Sequence, residues 1–225
     1  TSFASAALAH GDWHVQVCAR DAAGNWGAVT QAGPYTVDLV APQVVMVDSV
    51  VATPDNQLSE GETTGLAITH LRVAFGEGMS TSVSLPSSYR LISAGSDGFQ
   101  TVSCAGGVSA QDLSVTIDSV SSLSGSTYGL AVHGGTALPT GDYRLLACAS
   151  LTDAAGNHLD GNGDTIANDD FVRNFTIDRS PPTVARPTTN CACGATSSAR
   201  WSAPTPAGAR RTACWPTTSF CPRPG

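Results

Sequence analysis

The chain has 225 residues and a net charge of −7, and every one of its 11 Lys-or-Arg positions is Arg, so neither a nucleic acid nor an anionic membrane surface is an expected partner. Hydrophobic residues make up 41% and charged ones only 13%, with 23 Gly and 13 Pro, which suits many strands and turns and argues against a helical bundle. No run reaches the roughly 18 apolar residues that span a bilayer, so membrane insertion is not expected.

The opening stretch, "TSFASAALAHGDWHVQV", has no initiating Met and no basic region ahead of an apolar run. It does not read as a signal peptide, and the expectation is a piece of a longer chain whose targeting signal lies elsewhere. Trp13, Val15 and Val17 then alternate with His14, Gln16 and Cys18, the period of two of a strand with distinct faces. "DAAGN" follows over 21–25. Its Gly accepts positive φ, its Asn tolerates the left-handed region, and its Asp can bond backbone N–H groups two residues on, so the chain can turn back. A closing strand, "YTVDLV", ends ahead of Pro42.

From 42 onward come "QVVMVDSVVA", "TGLAITHLRVAF", "SYRLISAG", "FQTVSC", "DLSVTIDSV" and "TYGLAVHG". They are short runs rich in Val, Leu, Ile, Thr and Tyr, broken by Gly, Ser, Asp and Pro. The opening pattern then returns. "GDYRLLACASLTDAAGN" over 141–157 aligns with "GDWHVQVCARDAAGN" over 11–25, and "FTIDRSPPTV" aligns with "YTVDLVAPQV". Tyr143, Leu145 and Ala147 repeat the alternation of the first copy. The second copy is longer only after its turn, where "HLDGNGDTIANDD" sits.

Residues 1–41 therefore read as the C-terminal fragment of a first domain, 42–182 as a complete second domain, and 183–225 as a separate tail. With about seven or eight strands in the second domain, the expected fold is all-β, an Ig-like antiparallel β-sandwich.

The phrases "FGEGM", "SSYRL", "LPTGDYRL" and "DAAGNHL" carry a family resemblance. The chain resembles the bacterial Ig-like domain of the S-layer SbsA type over about 42–182, and partly over 1–41. Phe75, Glu77, Met79, Tyr89, Leu91, Gly141, Tyr143, Leu145, Asp153, Gly156, Asn157 and Leu159 stand where its pattern places them. Gly78 departs from it, at a position often Pro, and the domain is longer than a compact member. The resemblance implies a repeated spacer, stalk or accessory module of a surface or secreted protein, with neighbouring domains of its own chain as partners and an extracellular or cell-surface location.

Cys18 and Cys148 hold equivalent places in the two copies. A Cys104–Cys148 disulfide is expected in an oxidising compartment, the alternative being two buried thiols. On the same repeat logic, Cys18 would pair with a residue ahead of Thr1.

The acidic loop "LDGNGDTIANDDF" sets Asp160, Asn162 and Asp164 at alternate positions, the phrasing of calcium loops, with Asp169 and Asp170 able to close the shell. Thr165 replaces the sixth-position Gly of an EF-hand, and no Glu stands at twelve. The sequence reads either as a calcium site or as a solvated, turn-rich loop, and calcium is the expectation carried forward. Asp38 and Asp178, ahead of the linker prolines, read as strand-end aspartates rather than as ligands between domains.

The five His share no ligand spacing, and no nucleophile or phosphate-binding motif occurs. His133 reads as a strand end, and Glu60 and Glu62 as loop residues. No catalytic role and no cofactor other than calcium is expected.

The tail from Arg186 has five Arg and four Cys but no Val, Leu, Ile, Met, Asp or Glu. It cannot build a core and is expected to be disordered, and its mixture suits GC-rich DNA read out of frame. The reading of the whole is a non-catalytic structural repeat. The alternatives are an accessory module of a secreted hydrolase that binds polysaccharide, and an adhesin domain with a cell-surface ligand.

Overall fold

The structure is a computed structural model that describes residues 6–109 and 111–183. The expected disordered, out-of-frame tail falls, from residue 184 on, outside the described residues.

The fold is all-β. Strands β1 (Gly11–Val17) and β2 (Thr30–Val37) form an antiparallel ribbon of their own. The remaining strands are β3 (Val44–Ser49), β4 (Glu62–Thr64), β5 (His70–Phe75), β6 (Tyr89–Ser93), β7 (Leu113–Val115), β8 (Ile117–Ser124), β9 (Thr127–Val132), β10 (Gly141–Ala147) and β11 (Phe171–Ile177). They make two sheets, ordered β4-β11-β10-β6-β7 and β3-β5-β9-β8. All pairs are antiparallel except β4 with β11, a parallel edge pair.

The two sheets face each other as a sandwich because each strand presents its apolar residues at alternate positions. Tyr89, Leu91, Tyr143, Leu145, Ala147, Phe175 and Ile177 from one sheet, and Val47, Leu71, Val73, Phe75, Leu130 and Val132 from the other, belong to a single buried cluster. Tyr143 and Phe175 stack across β10 and β11 with centroids 5.6 Å apart, and Phe75 meets Tyr128 edge-on at 6.1 Å.

Three runs behave differently from their sequence pattern. "FQTVSC" is not a strand. Its backbone is satisfied by carboxylates instead: Asp112 Oδ2 accepts from the N–H groups of Gln100 (3.0 Å) and Thr101 (2.6 Å), and Asp170 Oδ2 accepts from Cys104 N (2.5 Å). This segment lies over the outer side of β10, where Arg144 donates to Thr101 O at 2.7 Å and sits over the Phe99 ring. "DLSVTIDSV" splits at Thr116, so that β7 joins one sheet and β8 the other. "TGLAITHLRVAF" becomes a strand only from His70, while the polar Glu62–Thr64 ahead of it forms the parallel edge strand.

Candidate functional site

The two "DAAGN" turns have the same internal construction. In the first, Asp21 Oδ1 accepts from Asn25 N at 2.8 Å and Asn25 Nδ2 donates to Asp21 Oδ2 at 3.0 Å. In the second, Asp153 Oδ1 accepts from Ala155, Gly156 and Asn157 N–H groups at 2.8, 2.6 and 2.8 Å, and Asn157 Nδ2 donates to Asp153 Oδ2 at 2.8 Å. Gly24 and Gly156 lie at φ +95° and +98°, where only Gly is free of strain. The Asn25 hydrogen bonds lower the Asp21 pKa. For Asp153, burial pushes upward, but the bonds from Asn157, Gly156 and Ala155 outweigh it and the pKa is lowered.

The second turn also grips the linker between the copies. Asn157 Nδ2 donates to Asp38 O at 3.1 Å. A few residues on, Asp160 N donates to Pro42 O at 3.0 Å and Gln43 Nε2 donates to Asp160 Oδ2 at 2.7 Å. Asp38, Glu77 and Asp153 meet here, each offering a carboxylate oxygen within 4.8 Å of the others. His10 Nδ1 lies 3.2 Å from Asp38 Oδ1. Burial, and then the charges of Asp153 and Asp38, raise the Glu77 pKa, with His10 opposing. Sequence reasoning treats Asp38 as a strand end and gives Glu77 and Asp153 no ligand role. The signal available was their place in the family phrase and in the repeat. Asp178, the counterpart of Asp38, accepts from Ser180 N at 2.9 Å.

In the acidic loop the structure gathers Asp160, Asp164 and Asp169, with carboxylate oxygens within 4.8 Å of one another. Asp160 is buried, and its carboxylate is already fully used: Oδ1 accepts from Gly163 N (2.8 Å) and Asp164 N (3.2 Å), and Oδ2 from Thr165 N (3.0 Å) and Gln43. Burial raises its pKa, but these bonds prevail and lower it. Asn162 Oδ1 accepts from Asp164 N, Asp164 Oδ1 from Ile166 N, and Asp169 Oδ1 from Gly161 N. The exposed Asp164 carboxylate is the one most open to a cation. Asp170 stands apart from this group, fastening Cys104 N and Ala149 N.

Cys104 and Cys148 are joined in a disulfide with Cα atoms 5.5 Å apart, which ties the segment over the outer face to the end of β10. Among the described residues Cys18 is a free, exposed thiol. Glu60 Oε2 accepts from Asn174 N at 2.9 Å and Glu62 Oε2 from Ser59 N at 2.8 Å, while His133 Nδ1 lies 2.9 Å from Thr136 Oγ1 in a tight turn.

Among the described residues no helix is long and apolar enough to cross a membrane. No protein-family model matches the chain, and no curated protein does. Among solved structures, domains 1–6 of the surface layer protein SbsC are similar at a TM-score of 0.37 and 15% identity, over 64% of this chain and 15% of that one. The N-terminal part of the bacterial S-layer protein SbsC gives 0.36 and 16%, over 64% and 25%. PcoC, a methionine-rich copper resistance protein from Escherichia coli, gives 0.34 and 13%, over 61% and 99%. The chain thus spans a quarter or less of the SbsC chains it resembles.

Proposed function

We propose that the chain is a non-catalytic structural segment of an exported bacterial surface protein: a tandem Ig-like spacer of the SbsA type, stiffened by calcium. The observation that carries this reading is the linker. Over residues 38–43 it is held by Asn157, by Asp160 and through the Gln43 side chain, so the ribbon and the sandwich are fastened together and do not hang on a free tether. A spacer needs that property, because a freely jointed linker transmits neither orientation nor reach.

Calcium enters through two carboxylate groups, the loop set Asp160, Asp164 and Asp169 and the junction set Asp38, Glu77 and Asp153. A hard divalent cation would neutralise their mutual repulsion at either place. The expectation from sequence was a loop site that also counted Asn162 and Asp170, but Asp160 would have to exchange existing hydrogen bonds for the ion. The junction set offers Glu77, whose pKa is raised first by burial and then by the charges of Asp153 and Asp38, a repulsion that a cation would relieve.

Thermal melts of the full chain in millimolar calcium and in chelator test the proposal. The expected result is a higher Tm in calcium. Loss of that gain in Asp164→Asn assigns the ion to the loop, and loss in Glu77→Gln assigns it to the junction. No calcium-dependent shift in the parent chain removes calcium from the proposal and leaves a plain spacer.

A further inference from the structure

The β1–β2 ribbon is two-faced. Asp12 and Thr36 are hydrogen-bonded on one side, as are Gln16 and Gln31. Trp13, Val15, Val17 and Tyr35 are on the other, paired in register as Trp13 with Tyr35 and Val15 with Ala32. In the second copy the equivalent residues are Tyr143, Leu145, Ala147 and Phe175. These are 2%, 0%, 0% and 1% exposed, whereas Trp13, Val15, Val17 and Tyr35 are 38%, 51%, 61% and 54% exposed. The substitutions between copies are larger at 13 and 17 and smaller at 15, so the face keeps about the same bulk. A two-stranded ribbon alone in water is marginally stable at best, and this one presents a core-type surface.

The second copy shows what covers such a surface. β10 and β11 are roofed by the β3-β5-β9-β8 sheet and flanked by β6 on one edge and β4 on the other. The outer edges of β1 and β2 have no strand partner among the described residues. A period-two apolar face with both edges open is a template for further strands, which would pair its free N–H and C=O groups while covering its apolar side chains. Cys18 stands at the place of Cys148, and among the described residues it has no counterpart of Cys104 to pair with.

We propose that the apolar face and edges of the β1–β2 ribbon are a docking surface for a β-segment of the same kind as residues 42–140, supplied by a neighbouring repeat, and that Cys18 is cross-linked to that segment's counterpart of Cys104. This rests on the tandem-repeat part of the proposed function but not on calcium. The test extends the full chain by placing a further copy of residues 42–140 ahead of Gly11, joining Thr140 to Gly11 as it is joined to Gly141. Trp13 is kept as the sole Trp, with Trp26, Trp201 and Trp215 changed to Phe.

In the extended chain, Trp13 emission should shift to the blue and its acrylamide quenching should fall severalfold. A second cooperative melting transition should appear, and Val15→Asp should abolish it while leaving the melt of the original chain unchanged. In a glutathione redox buffer, the Cys18 thiol and the copied Cys104 thiol should form a disulfide, oxidised glutathione taking up the two electrons and two protons. Alkylation and mass spectrometry would read that bond. Unchanged quenching together with a Cys18 that alkylates as in the original chain overturns the proposal. A concentration-dependent dimer of the original chain that already shields Trp13 also overturns it, since a second copy would then be the occupant. A calcium-independent melt of the sandwich would bear on the calcium reading alone.

Discussion

The two "DAAGN" turns are built alike and placed differently: Asp21 is exposed to solvent, while Asp153 is 2% exposed beneath the junction. Each turn closes on its own Asp and Asn, so five residues encode the turn wherever it lies. What they do not encode is burial, which around the second turn comes from residues 78–80 and from the linker at Asp38. The same holds for the strands. Val15 and Leu145 follow one alternation, but only Leu145 has a sheet against it.

The sharpest way to break this comparison is to truncate matched positions. Leu145→Ala should destabilise by about 2–5 kcal/mol and Val15→Ala by less than about 0.5 kcal/mol, read by urea denaturation. Equal effects would mean that the ribbon is packed in solution. Next is the matched pair of cysteines. Reducing Cys104–Cys148, which are 44 residues apart, should cost about 2–4 kcal/mol, whereas alkylating Cys18 in the native protein should leave the Tm unchanged.

The turns come third. Asp153→Ala strands three backbone N–H donors and should cost about 1–3 kcal/mol, whereas Asp21→Ala, at an exposed turn, should leave the Tm of the sandwich unchanged. The pH dependence has a definite sign. The Asp153 pKa is lowered in the fold, so its stabilisation is present above the unfolded value near 4 and is lost as pH falls through the folded value. Asp153→Ala should therefore flatten the acid limb of a stability–pH curve.

Glu77 runs the other way and gives the smallest effect. Its raised pKa favours the protonated form in the fold, so stability is lost as pH rises through the folded value. In chelator at pH 7, Glu77→Gln should raise stability by less than about 1 kcal/mol, and the gain should vanish near pH 3.

Period-two alternation made β1 and β10 legible in the sequence, short apolar runs bounded by turn residues did so for β6 and β9, and the internal repeat gave the two turns and the equivalence of Cys18 with Cys148. "FQTVSC" misled because its apolar alternation serves a covering segment whose N–H groups bond to Asp112 and Asp170, partners remote in sequence. β4 escaped because a three-residue polar edge strand has no periodicity to read. Within the acidic loop, spacing alone could not separate Asp170 from Asp169. The first turns to the disulfide and the second stays with Asp160 and Asp164. The junction set was the hardest to see, because Asp38, Glu77 and Asp153 come together only once the linker folds back on the second turn.

The Cys104–Cys148 bond has a mechanical side. If the protein is pulled from its two ends and the sandwich gives way, the chain between these cysteines stays looped and bears no load. About 44 residues are withheld from extension, shortening the reach of an unravelled copy by roughly 150 Å. An oxidised copy that yields under tension is a short tether, and a reduced one is a long tether, so redox state sets how far the strand can stretch before the next element takes the force.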